Sequence, residues 1–144
     1  SNFIVFDDYG HHPSEVKATV NAVRQGWPDR RLVMIYQPHR YTRTHELFDQ
    51  FVDALSMVDQ LVLLDVYAAG EPEIAGATGE DLYKAINRKS NTQVEFVQSI
   101  EQVPAILDDL VQANDFVLTQ GAGETSKLAL ALTSRWEHRQ KKHG

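Results

Sequence analysis

Short apolar runs alternate with longer amphipathic stretches along this chain. Phe3-Ile4-Val5-Phe6 stops at Asp7-Asp8, and Arg31 to Tyr36 encloses Leu32-Val33-Met34-Ile35. Leu61-Val62-Leu63-Leu64 stops at Asp65, Val94-Glu95-Phe96-Val97 is more polar, and Phe116-Val117-Leu118-Thr119 ends at Gln120-Gly121. Near-continuous apolar runs of this length predict strands buried on both faces. Between them the apolar residues recur at helical spacing. Val16, Val20 and Val23 form one stripe, stopped by Gly26 and Pro28. Leu47, Phe48, Phe51, Val52 and Leu55 form a wide second stripe, and Leu82, Tyr83 and Ile86 a shorter third with Gly79 before it. Ile100, Val103, Leu107, Leu110 and Val111 make a fourth, with Pro104 in its first turn, where the missing N–H costs little. Thr125 to Trp136 carries Leu128, Leu132 and Trp136, and His138 to His143 follows as a charged tail expected to fray.

Strand and helix thus alternate five times. That order predicts an α/β fold: a Rossmann-like, doubly wound, mostly parallel sheet with helices on both faces. Ligands of such sheets sit beyond the carboxyl ends of the strands. The length of 144 residues suits one domain, drawn here at 3–137 with 138–144 as the tail. Ser1-Asn2 enters the first apolar run without a Met and reads as the remnant of a cleaved tag.

Composition narrows the chemistry. A chain 42% hydrophobic and 24% charged can bury a core, which argues against disorder. No apolar run approaches the roughly eighteen residues of a membrane helix, and no signal peptide is recognisable, so the cytoplasm is the expected compartment. The absence of cysteine excludes a disulfide scaffold, a zinc ribbon and a thiol nucleophile. A net charge of -6 argues against a general nucleic-acid binder, yet a local arginine cluster can still hold a phosphate.

Three strand ends share one character. Asp7-Asp8-Tyr9-Gly10-His11-His12-Pro13 follows the first strand, Gln37-Pro38-His39-Arg40-Tyr41-Thr42-Arg43-Thr44 the second, and Asp65-Val66-Tyr67-Ala68-Ala69-Gly70-Glu71 the third. In a parallel sheet these loops face one edge. Arg40 and Arg43 are three apart and share a face of a helical turn, where two guanidinium forks suit a carboxylate or phosphate. The competing fate is a pair of surface arginines bound to nearby acids. His11, His12, His39, Asp8 and Asp65 could approach a metal, but neighbouring histidines point apart and no HExxH spacing occurs, so His11 and His39 read better as hydrogen-bonding ligand contacts. His12 can equally cap or pack at the start of the first helix. Asp7 and Asp8 are candidate paired acids, magnesium ligands or acceptors for ribose hydroxyls, unless they serve the helix start; Ser14 and Glu15 can do that too, which leaves Asp8 freer for a ligand. Gly121-Ala122-Gly123-Glu124 could cradle a phosphate, but GxGxxG fails at Ser126 and the glycines can be purely structural. Neither GxxxxGK[ST] nor GxSxG occurs, so the edge lacks a complete catalytic set.

Four segments together carry a family resemblance: DDYGHHPSEV (7–16), YQPHRYTRT (36–44), DVYAAGE (65–71) and TQGAGE (119–124). In this order they resemble the C-terminal domain of the Mur ligases, and within that family the member that joins L-alanine to UDP-N-acetylmuramate in peptidoglycan precursor synthesis. The resemblance runs from Asn2 to about Trp136. It implies a three-domain enzyme. The first domain would bind the UDP-sugar. The central one would carry the P-loop and hold ATP and Mg, and the third would bind the amino acid and close over ATP. The sugar carboxylate would be activated as an acyl phosphate, which the amine of L-alanine attacks. On this resemblance Asp8 contacts ATP near its ribose, and Tyr9 and His11 line the amino-acid pocket. His39, Arg40 and Arg43 complete that pocket, with Arg40 and Arg43 holding the alanine carboxylate and steadying charge. His12, Asp65, Tyr67 and Glu71 are candidates without assigned roles, Gly121 and Gly123 are structural, and no metal is held in this fragment. The expected partners are L-alanine, ATP and, through the other domains, UDP-N-acetylmuramate, with neither nucleic acid nor membrane. Alone the fragment would be inactive. The other readings are a related recycling ligase that joins a tripeptide to the same sugar, a stand-alone nucleotide- or anion-binding module, and a small metal-dependent hydrolase.

Overall fold

The computed structural model describes residues 4–121 and 124–143, with the side chains of 124, 126 and 136–143 left aside. Ser1, Asn2, Phe3, Gly123 and the side chains of Trp136 and the charged tail therefore lie outside the described residues. The elements run β1 (Ile4–Asp8), α1 (Pro13–Gly26), β2 (Leu32–Gln37), α2 (Tyr41–Glu46), α3 (Phe48–Leu55), β3 (Gln60–Leu64), α4 (Gly79–Lys89), β4 (Gln93–Val97), a 3-10 turn (Ile100–Gln102), α5 (Val103–Leu110), β5 (Phe116–Gly121) and α6 (Glu124–His143).

All pairings are parallel, in the order β1-β5-β2-β3-β4. The last strand thus inserts between the first two. Alternation along each strand separates two cores. Leu32, Met34, Tyr36, Leu61, Leu63, Phe116 and Leu118 pack with α1, α3 and α4 through Val16, Val20, Phe51, Leu55, Leu82 and Ile86. Val33, Ile35, Val62, Leu64 and Val117 pack on the other side with α5 and α6, through Val103, Leu107, Leu128 and Leu132. The expected doubly wound α/β sheet is the observed one.

Four local expectations change. β1 is an edge strand and is not buried on both faces: Phe6 is 51% exposed. The stripe from Leu47 to Leu55 is only the second of two helices, because α2 precedes it and Leu47, at φ -113, breaks the run. β5 continues two residues past Thr119, because Gln120 and Gly121 keep pairing with Tyr36 and Gln37. Helix α6 continues past Trp136 to His143. Among the described residues no helix is long and apolar enough to cross a membrane.

The loop from Asp65 to Thr78 returns against the end of β3. Asp65 Oδ1 accepts from the backbone N–H of Val66 at 2.8 Å and of Gly79 at 3.0 Å, fastening the start of α4. Thr78 and Asp81 close a reciprocal cap there. A Cβ on Gly79 would stand 2.8 Å from Asp65 Cα and 2.9 Å from the Phe96 ring, with backbone on one side that cannot yield. Gly26, by contrast, has nothing within 4 Å of the same position. Gly79→Ala is therefore expected to destabilise the domain by about 1–3 kcal/mol, while Gly26→Ala stays within about 0.5 kcal/mol. Urea unfolding of the two variants beside the parent chain measures both.

Candidate functional site

Loops leaving β1 and β2 enter the α1–α2 side of the sheet, whereas β5 leads to α6 on the other side. Such a divergence opens a crevice at the carboxyl ends of the strands. Its first wall is built by Asp8. Oδ2 of Asp8 accepts from Gln120 Nε2 at 2.8 Å, Thr19 Oγ1 at 2.9 Å and the Gly10 backbone N–H at 3.3 Å. Asp8 is thus less free than expected: one oxygen joins β1, β5 and α1, and only Oδ1 has no partner among the described residues. Asp7 is bound as well, accepting from Thr119 Oγ1 at 2.6 Å.

The next residues divide into tethered and open. His12 is the N-cap of α1; its Nδ1 accepts from Ser14 N at 3.1 Å, and Glu15 returns the bond to the His12 N–H. Its capping role is the one the sequence offered as the alternative to ligand contact. The buried Tyr36 hydroxyl donates to the His11 carbonyl at 2.8 Å, pinning the loop to β2. Burial holds that phenol far above its ordinary titration range. Tyr9 stands 73% exposed at the rim.

The second wall extends β2 and β3 beyond their regular pairing. His39 and Tyr67 form an isolated parallel bridge, with Arg40 N donating to Tyr67 O and Tyr67 N to Pro38 O, both at 2.8 Å. Their rings stack with centroids 5.6 Å apart and planes 8° apart. His11 meets His39 edge-on at 6.4 Å. Burial lowers the His39 pKa from its ordinary 6.5, and Arg40, Arg43 and His11 lower it further against the opposing pull of Glu71. At neutral pH the ring is therefore uncharged and can accept a proton or hydrogen bond.

Arg40 begins α2 with φ 70 and ψ 136, a conformation that costs a side-chain-bearing residue about 1–3 kcal/mol. Thr44 N and Thr44 Oγ1 both donate to the Arg40 carbonyl. Glu71 reaches across from the third loop. Its Oε1 accepts from Thr42 N at 3.1 Å and its Oε2 from Thr42 Oγ1 at 2.7 Å. These bonds hold its pKa below the ordinary value of 4.5, so they are complete at neutral pH and weaken only as acid brings the medium down through that lowered value.

The arginines of the domain differ in their partners. Arg24, Arg31 and Arg135 pair with Asp59, Asp115 and Asp108, while Arg40 and Arg43 make no ion pair among the described residues. Arg40 is the N-cap with φ 70 and Arg43 lies within α2, so the helical-face spacing expected of the pair does not apply. Two acceptors are open as well: Oε1 of Gln37 and of Gln120 are buried without a partner among the described residues, at the ends of β2 and β5. Each amide's orientation is fixed, because its Nε2 donates to an oxygen that can only accept, the Asp65 carbonyl for Gln37 and the Asp8 carboxylate for Gln120. Gly121 has φ +128, and a Cβ there would stand 2.8 Å from the Gln37 carbonyl, which accounts for its structural role. No three His, Asp or Glu residues converge as a metal site among the described residues. Sequence reasoning brought Tyr9, His11, His39, Arg40, Arg43, Tyr67 and Glu71 to one edge, but passed over Thr19, Tyr36, Thr42 and Gln120, whose only signal was their place inside or beside the motifs.

Fold and edge define a doubly wound α/β domain that gathers arginines, histidines and tyrosines at the carboxyl ends of its strands. The chain belongs to the Mur ligase family: residues 1–123 match the domain described as Mur ligase, glutamate ligase domain. Solved structures agree on the fold. The UDP-N-acetylmuramate-alanine ligase of Thermotoga maritima is similar with a TM-score of 0.76 at 22% identity, over 96% of this chain and 27% of that one. A murein peptide ligase of Psychrobacter arcticus gives 0.71 at 19% identity, over 92% of this chain and 27% of that one. A single domain assigned to a UDP-N-acetylmuramate:L-alanyl-gamma-D-glutamyl-meso-diaminopimelate ligase of Haemophilus ducreyi gives 0.68 at 17% identity, over 93% of this chain and 91% of that one. This chain thus spans about a quarter of the first two proteins.

The lowered His39 pKa has a direct check. Ring-proton NMR across pH should show His39 titrating below 6.5, and Arg43→Ala should move its midpoint upward by removing one of the cations that lower it. A midpoint at or above 6.5 in the parent chain would contradict the described surroundings.

Proposed function

We propose that this chain is the amino-acid-binding domain of an ATP-dependent ligase that joins L-alanine to UDP-N-acetylmuramate. The observation that carries the reading is the pair of guanidinium groups at the start of α2, Arg40 at its N-cap and Arg43 within it, which make no ion pair among the described residues and stand beside a neutral His39. Both arginines would hold the carboxylate of the incoming amino acid, leaving its amine to face the sugar carboxylate. Two fixed forks give that carboxylate one orientation, which is how positioning lowers a barrier between two bound reactants. Cations at this place also stabilise negative charge that develops on the attacked carboxyl group. Tyr9 and His11 would close the side of the pocket and limit the side chain it admits.

ATP would supply the phosphoryl group that activates the sugar carboxylate, with Mg held mainly by a domain outside this sequence. Asp8 fits a role toward the ribose, because Oδ1 remains able to accept a hydroxyl while Oδ2 is fixed by Gln120 and Thr19. The motif YQPHRYTRT favours L-alanine as the acceptor; a recycling ligase would instead admit a tripeptide whose terminal amine belongs to the same amino acid. The expected compartment is the cytoplasm.

An amide and arginine Nε NMR titration of this chain with L-alanine, then the tripeptide, then ATP with Mg tests the reading. L-alanine should shift Tyr9, His11 and residues 39–44, even at millimolar affinity. Arg40→Ala and Arg43→Ala should each weaken that response about tenfold. Shifts from the tripeptide alone would favour the recycling ligase, and saturable binding of ATP alone would favour a stand-alone nucleotide-binding module.

A further inference from the structure

A six-residue helix cannot satisfy its own first N–H groups, and α2 has no side-chain cap at Arg40. The missing acceptor comes from the neighbouring loop. Glu71 takes both the backbone N–H and the hydroxyl of Thr42. The same loop holds the preceding residue, since Arg40 N donates to Tyr67 O. Tyr67 and Glu71 are themselves joined by a tight turn, in which Glu71 N donates to Ala68 O and Ala69 and Gly70 take positive φ. One turn of the third loop thus grips the backbone on both sides of Tyr41.

Electrostatics make the arrangement specific. Glu71 lies close enough to Arg40 for the guanidinium to stabilise its charge. It could have paired with Arg40 directly and cancelled the cation. Both its oxygens instead face Thr42, and both arginines stay without an ion pair among the described residues. The carboxylate fixes the turn while leaving its cations open.

We propose that Glu71 is a positioning residue: through Thr42 it holds the strained first turn of α2 so that Arg40 and Arg43 stand ready for an anionic group. The inference rests on the arginine site proposed above, and it gives the third motif a role. Glu71 does not touch the ligand in this account. It acts on affinity by removing the need to order the turn when the anion arrives, since a preordered site loses less conformational freedom on binding.

Two arms of one experiment separate this inference from the reading beneath it. The first needs no ligand. In Glu71→Ala the Thr42 amide should exchange about tenfold faster or more, and the HN–Hα coupling of Arg40 should leave the value of a positive φ. Glu71→Gln keeps an acceptor for Thr42 N and should retain both readings near those of the parent chain. Unchanged exchange at Leu61 and Val62, inside β3, certifies that each variant is folded. The second arm titrates the same proteins with L-alanine and with inorganic phosphate. Glu71→Ala should bind about tenfold more weakly, and Glu71→Gln should bind as well as the parent or better, having lost a nearby negative charge. An unchanged Arg40–Thr42 turn in Glu71→Ala would overturn the role of Glu71, whatever the anions do. A rigid parent turn that meets no response to either anion would overturn the arginine site itself. Tight binding by Glu71→Ala despite a loosened turn would show that holding the turn does not matter for the ligand.

Discussion

The insertion of β5 between β1 and β2 sets the spacing of every loop in the crevice. Without it Asp8 and Tyr36 would lie on adjacent strands, and the first two loops would crowd each other. With β5 between them, Gln120 stands between the two loops and donates to Asp8. Thr119 does the same for Asp7 from the opposite face of β5. The side chains of one strand thus fasten its neighbour on both faces of the sheet. Gly121 completes the arrangement, because a Cβ at that position would stand 2.8 Å from the Gln37 carbonyl oxygen. Parallel strands buried on both faces resist register shifts, since a slip of one residue would exchange the two cores. The crevice inherits that rigidity from the ladder beneath it.

Charge is distributed along the strands in an ordered way. At their amino ends Arg31 grips Asp115 through two nitrogens, and Asp59 joins Arg24 to the Leu32 N–H. Those groups are paired with one another. At the carboxyl ends His39 is held neutral, and among the described residues Arg40 and Arg43 make no ion pair and the Gln37 and Gln120 side-chain carbonyls have no donor. An unsatisfied buried acceptor is a cost in a folded chain, and such costs gather where a ligand or another domain will meet them. The same holds for Arg40, whose backbone is strained at the residue that carries the site's charge.

The sequence made the layers legible because each strand run is apolar on both faces and each helix keeps a single stripe. It could not reveal the strand order, since Ile4, Val5 and Phe6 read as apolar as the central strands although β1 lies at the edge. It also hid α2. Tyr41 to Glu46 is too polar and too short for a stripe, and its start is held from another loop by Glu71 and Tyr67. The residue types of the edge were readable; their division of labour was not. Asp8, Asp65 and Glu71 look alike as carboxylates after strands, yet the first ties three elements, the second starts α4, and the third fastens the arginine turn. Those roles depend on partners 11 to 112 residues away along the chain, which no local pattern encodes.

A separation follows between what keeps this domain folded and what lets it bind. Arg31 and Arg40 flank β2 at opposite ends, with roughly 20 Å of strand between them. Residues that far apart with no shared partner act nearly independently on free energy. The Arg31–Asp115 pair and the two cores can therefore be strong without touching the crevice, and the crevice can hold unpaired charge, open acceptors and one strained residue without unfolding the sheet. Loop three is the exception. Asp65 at its start belongs to the fold, since it begins α4, and Glu71 a few residues on belongs to the arginine turn. The segment between them, with Tyr67 stacked on His39, is where the stability of the sheet is passed to the geometry of the site.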